Sequence, residues 1–194
     1  MKTTSHNNTG ISEKAKLDYA EIYLTRVPIK HQRCIGITEG TLDKLKNVVR
    51  LVAMNNTTIR SYASAILRNH LREYKFLHEI MRKVMYDKLT SGDLAIYQTV
   101  GDNYLETYLM PDSQPRGSAW IHVDVECAEA LKQIASWSDT GATIGSFAEA
   151  IILVHLGLNE ELIEQMKPHL PEGIPSVFIS SVSGLNIARL KDML

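Results

Sequence analysis

Between Arg26 and Arg33 the chain reads RVPIKHQR, and four of these eight residues are Lys, Arg or His. Pro28 keeps the stretch from being helical. Its cations therefore stand on an extended arm suited to phosphate groups or another polyanion, although an ordinary solvated linker has the same composition. The charge distribution points the same way. Residues 1–88 hold 16 Lys or Arg against 8 Asp or Glu, while residues 89–194 hold 5 against 14, so the net charge of −1 hides a basic and an acidic half. Such asymmetry implies a nucleic-acid partner for the basic half, or else two solvated faces that attract each other. Other chemistry is thin. Cys34 and Cys127 form no metal-binding pattern and read as reduced thiols. No HExxH or nucleophile elbow occurs, so the expectation is a protein that is not an enzyme and takes no metal or cofactor.

The elements that must position this charge begin with a strand, RCIGIT, over Arg33–Thr38, where Ile35 and Ile37 alternate onto one face. A helix follows, with Leu42, Leu45, Val49 and Val52 in a single stripe. Asn55-Asn56 breaks it, and Thr57 or Thr58 offers an N-cap oxygen to the next helix. That helix carries Ile59, Tyr62, Ala63, Ile66 and Leu67 on one face. Tyr74, Leu77, Met81, Val84 and Met85 extend the stripe, predicting one helix to Lys88. A short strand with two helices is a thin core and needs a partner.

An internal repeat supplies one. Thr58–Leu71 (TIRSYASAILRNHL) and Thr143–Leu156 (TIGSFAEAIILVHL) are identical at eight of fourteen positions. Upstream of the second copy lies an alternating strand, Ile121–Val125, then a helical run over Ala128–Trp137. Aligned on Ile37 and Val125, the second copy is three residues shorter between strand and second helix. The strands at Cys34–Thr38 and Ile121–Val125 are expected to pair antiparallel within one chain, a homodimer being the other route to a paired ribbon. His70 and His155 recur at the same place in the two copies. They read as a switch or metal pair, or more simply as half-buried members of a core stripe. Asp124, with Glu126 and Glu129 beside it, is expected to repel phosphate. The second copy then reads as a structural partner, with Trp120 and His122 contributing nothing to DNA.

The fold class this predicts is mainly α with short β. Residues 1–32 form a disordered tail and the basic arm, with a short helix over Glu13–Leu24. Residues 33–88 are the first strand-helix-helix repeat, and residues 89–119 a connector with a hairpin or a helix over Ala95–Tyr108. Residues 120–166 are the second repeat, and residues 167–194 a strand-helix tail. No run of 18 apolar residues suggests a membrane span, and MKTTSHNNTG has no signal-peptide core, so a cytoplasmic location is expected.

The strand RCIGIT, the turn NNTT, the helix SYASAILRNHLREY and the preceding DYAEIYLTRVPIK resemble the ribbon-helix-helix DNA-binding fold. The form they are most similar to is an uncharacterised domain of Bacteroides-type conjugative-transposon proteins. The likeness covers about residues 17–88. It implies double-stranded DNA as partner, a ribbon in the major groove, and an accessory or regulatory role in a mobile element. Carried over position by position, it implies base reading by Gln32, Arg33 and Thr38. Phosphate contacts fall to Arg26, Lys30, Asn56, Thr57, Thr58 and Arg60, around a helix start whose N–H groups face outward. The alternative is a protein-interaction module using the acidic half. The last 24 residues, PEGIPSVFISSVSGLNIARLKDML, resemble the end of the G domain of Obg-type GTPases, with Ser180-Ser181 at the guanine-contacting motif. The chain has no GxxxxGK[ST] loop and no Asn-Lys-x-Asp, so the reading of a degenerate GTPase relative carries no nucleotide site.

Overall fold

The computed structural model describes residues 11–52, 56–86, 88, 90–111 and 119–167. The tail before Ile11 and nearly all of the 167–194 segment lie outside them. The elements run in order: α1 (Glu13–Tyr23), β1 (Gln32–Ile37), α2 (Glu39–Val52), α3 (Ile59–Glu73), α4 (Lys75–Met85), α5 (Ser91–Ile96), a π-helical turn (Tyr97–Gly101), α6 (Asp102–Tyr108), β2 (Ala119–Asp124), α7 (Val125–Trp137), α8 (Ile144–Leu158) and α9 (Glu160–Met166). The chain is mainly helical around one small antiparallel sheet. No helix among the described residues is long and apolar enough to cross a membrane.

β1 and β2 pair antiparallel within the chain, Ile35 opposite Ile121 and Ile37 opposite Ala119. Alternation sends Ile35, Ile37, Ile121 and Val123 inward, where each is essentially fully buried. α3 and α8 lie beneath, with Tyr62, Ala63, Ile66 and Leu67 buried alongside Phe147, Ala148, Ile151 and Ile152. Each such aliphatic or aromatic side chain contributes roughly 1.5–3 kcal/mol through removal from water. Both helices start with the same reciprocal cap. The Thr58 and Thr143 hydroxyls accept from the N–H of Ser61 and Ser146, whose hydroxyls accept from the threonine N–H in return. Each start follows a left-handed residue, Asn56 (φ 55°) or Asp139 (φ 52°).

The duplication runs further than the fourteen residues that the sequence makes obvious. Displaced by 85 positions, Tyr19, Glu21, Tyr23 and Leu24 meet Tyr104, Glu106, Tyr108 and Leu109. Past the second helix, Leu77, Glu79 and Met81 of α4 meet Leu162, Glu164 and Met166 of α9. The ring geometry repeats as well. Tyr19–Tyr23 centroids lie 4.8 Å apart at 43°, and Tyr104–Tyr108 centroids 4.9 Å apart at 43°. Each copy is thus a leading helix, a strand and three helices: α1-β1-α2-α3-α4, then α6-β2-α7-α8-α9. Thr38 and Asp124 cap α2 and α7, so the caps of the two central helices of each copy stand 20 and 19 residues apart. The second copy is one residue shorter here, not three.

Each leading helix packs on the second helix of its own copy, and its tyrosine hydroxyl reaches the histidine of the other. His155, on α8, meets the Tyr19 hydroxyl at 3.0 Å, while His70, on α3, meets the Tyr104 hydroxyl at 2.8 Å. A buried phenol needs a second partner, and the copies find it differently. Tyr19 reaches the Tyr62 hydroxyl at 2.6 Å. The counterpart of Tyr62 is Phe147, and Tyr104 turns instead to His78 Nε2 at 2.7 Å. Tyr104 has one hydroxyl proton, so at most one of its two imidazoles accepts from it and at least one donates to it. Burial pushes His70 down to about 3 and both His78 and His155 down to about 4, with the neighbouring His78 adding to the effect at His70. The histidines are core members, as the simpler reading has it.

One expectation fails here, and one open alternative is decided. The predicted helix to Lys88 breaks at Tyr74, whose φ −95° and ψ 13° are not helical. In a straight helix His70 and His78 would stand about 12 Å apart along the axis; the break brings their rings to 6.2 Å, so both reach Tyr104. The connector forms helices, not a hairpin. Thr90 and Asp93 cap α5 reciprocally, and Lys83 holds Asp93 at 2.9 Å. Tyr104 and Tyr108, four apart, turn one face of α6 to the core. Gly101 sits in the π-helical turn, where a Cβ would lie 2.9 Å from the Tyr97 ring.

Candidate nucleic-acid interface

The outward face of the ribbon follows from its register. Gln32, Cys34 and Gly36 stand opposite Asp124, His122 and Trp120. Cys34 Sγ lies 3.4 Å from His122 Nδ1. Trp120 is 52% exposed because its cross-strand neighbour is a glycine. Asp124, expected to repel phosphate, is not free to do so. Its Oδ1 accepts from the Cys127 N–H at 2.9 Å, capping α7, and its Oδ2 accepts from Arg68 Nε at 2.8 Å.

Beside this face a groove of about 620 Å³ runs between the arm, α2, the start of α3 and β2. Arg26, Lys46, Arg60, Trp120 and His122 line it, and no carboxylate does. Lys46 pairs with Asp43 on its own helix at 2.7 Å. Arg26 and Arg60 are exposed and make no ion pair with a described residue. Desolvating neither, the groove leaves two full charges for an anion, with the partial charge of the α3 start beside them.

The residues singled out from sequence divide. Arg26, Lys30, Gln32, Asn56 and Arg60 are exposed around the ribbon and the α3 start. Thr57 and Thr58 reach that start, but their hydroxyls are engaged in the fold, Thr57 donating to the Leu24 carbonyl and Thr58 in the cap. The N–H groups of Ile59 and Arg60, which have no intrahelical acceptor, remain as the backbone donors. Arg33 sits opposite Val123 on the helix side of the ribbon, 3.7 Å from Glu129, and not among the outward residues. Thr38 is turned inward. The strand ends at Ile37, and the Thr38 hydroxyl and N–H both donate to Glu149, the latter at 3.2 Å. The sequence pointed to Trp120 and His122 as outward residues that contribute nothing to DNA and did not single out Lys46; all three line this groove.

Among the described residues no group of three or more His, Cys, Asp or Glu could hold a metal.

Residues 2–88 match a family described as "Protein of unknown function (DUF3408)". That span is the first copy and is under half of the chain. Over 37 residues, 19% of the chain, the sequence is 65% identical to GTPase Obg of Bacteroides fragilis (strain YCH46). It is 65% identical over 37 residues to GTPase Obg of Parabacteroides distasonis, and 60% over 37 residues to that of Bacteroides thetaiotaomicron. The matched residues make up 10% of each of these relatives, so the chain spans about a tenth of their length. No solved structure matches the chain.

Proposed function

We propose that this protein binds double-stranded DNA through its two-stranded ribbon, as a ribbon-helix-helix-type module folded from a single chain. The observation that carries the reading is the groove beside the ribbon, where Arg26 and Arg60, without an ion pair to a described residue, stand next to Trp120 and His122 with no carboxylate in the lining. A two-stranded ribbon fits the major groove of B-DNA. Cations and helix-start N–H groups at its flank hold phosphates and fix the register, while the outward side chains meet base edges. The likeness of residues 17–88 to conjugative-transposon proteins supports an accessory or regulatory place in a mobile element.

The test is retention of a labelled random duplex at two salt concentrations, with the wild type and the double variant Arg26→Ala/Arg60→Ala. Each lost phosphate contact flattens the dependence of log affinity on log salt by about 0.9, so the double variant should lose about 1.8. No retention at low salt sinks the reading. Salt-insensitive behaviour together with cross-linking to a basic protein would move the function to the acidic half.

A further inference from the structure

We infer that the duplex this protein takes is asymmetric, with the β2 edge of the ribbon making most of the phosphate contact and carrying the aromatic side chains. The inference rests on the duplex-binding reading above. A ribbon built from two identical chains presents the same residues to both halves of a site and selects a palindrome. Here the two halves are copies within one chain, and their differences fall on the exposed positions.

Thr38 and Asp124, the two helix caps that end the strands, stand 86 apart. On that displacement Cys34 corresponds to Trp120 and Gly36 to His122. One half of the ribbon face therefore carries a thiol and a bare backbone, the other an indole and an imidazole. Along the second helices the displacement is 85, and Arg60, Arg68 and Arg72 of α3 become Gly145, Leu153 and Gly157 of α8. The helix starts differ in access as well. Arg60 is exposed, whereas Gly145 is buried; the turns before them do not differ in this way, since Thr57 and Thr140 donate alike to the Leu24 and Leu109 carbonyls. Lys46 keeps its counterpart in Lys132. Arg116 lies outside the described residues.

The concentration is spatial too. Trp120 and His122 belong to the second copy, but they line the groove at the α3 start of the first. Outward aromatics and two arginines that make no ion pair with a described residue thus converge on the β2 edge of the ribbon. The β1 edge carries Cys34, Gly36 and the buried start of α8.

The experiment is selection from a random duplex pool with the full chain, then phosphate-ethylation interference on the recovered sequence. The expected result is a consensus without dyad symmetry, with interference concentrated on one flank. Trp120→Ala should weaken binding to the selected duplex by tenfold or more, and to an unselected duplex by less than threefold. A palindromic consensus, or equal interference on both flanks, overturns the inference and leaves duplex binding standing. Recovery of no duplex at low salt overturns both. If Trp120→Ala does not fold, His122→Ala is read the same way, and the ethylation pattern of the wild type decides by itself.

Discussion

His155, in the second copy, holds the Tyr19 hydroxyl of the first at 3.0 Å, and His70 returns the arrangement on Tyr104. His70 is buried and His155 half-buried, and both, with His78, are neutral at pH 7 because removal from water opposes their charging. In the unfolded chain a histidine takes up its proton near pH 6.5. Their stabilising effect is therefore complete above about pH 6.5 and falls as pH drops toward the folded values, since the unfolded state then binds more protons. Each histidine steepens the fall by up to about 1.4 kcal/mol per pH unit. Urea midpoints at pH 7, 6 and 5 should decline, and His155→Gln should remove about a third of the histidine contribution to that decline. An unchanged slope in this variant would mean that His155 is solvated.

The reciprocal caps at Thr58 and Thr143 are the same device at the same place in the two copies. Thr58→Ala and Thr143→Ala should each cost about 1 kcal/mol. Because the ribbon, the packing of α3 on α8 and the crossed tyrosine–histidine bonds join the copies, both variants should shift one common unfolding transition. Two transitions, each moved by one variant only, would show that the copies fold independently.

The strand-helix-helix order and the inward isoleucines were legible because alternation and the three-to-four spacing report burial directly. The wider duplication was not, since it survives only in tyrosine, leucine and scattered polar positions whose meaning depends on the buried network. Tyr62 becoming Phe147 looks conservative in sequence, yet it removes a hydroxyl that His78 replaces for Tyr104. Glu149 was legible in principle as a carboxylate in an otherwise apolar helix. Its counterpart is Ser64, whose buried hydroxyl has no partner among the described residues. The site was half visible. Charge composition located Arg26 and Arg60, but the neutralisation of Asp124 by Arg68 comes from the other copy and has no local signature.

The two cysteines should differ sharply in reactivity. Cys34 is exposed on the ribbon opposite His122. Cys127 is 3% exposed, and desolvation, with the Asp124 charge beside it, pushes its thiol up to about 12. The thiolate is the reacting species, so an aromatic disulfide reagent should titrate one equivalent in the native protein and two in urea. Two native equivalents at one rate would contradict the burial of Cys127.

Thr38 offers the sharpest separation between a reader of bases and a part of the fold. Its oxygen accepts from the Thr41 N–H at 3.4 Å as the cap of α2, and its hydroxyl and N–H donate to Glu149 from the other copy. Thr41, 2% exposed, donates to the same carboxylate. Glu149 is itself buried, with its carboxyl at the start of α2. Thr38→Ala should cost about 1–2 kcal/mol, from the lost cap and one lost hydrogen bond to that carboxyl. Glu149→Ala should cost about 3 kcal/mol, since it leaves the Thr41 hydroxyl and the Thr38 N–H unsatisfied. Glu149→Gln, which keeps an accepting oxygen in place, should cost less. Urea denaturation measures all three. The duplex sequences selected by Thr38→Ala should match those of the wild type, because the side chain faces the protein. A changed selection at unchanged stability would put Thr38 back on the DNA face and break the assignment of Glu149 as its partner.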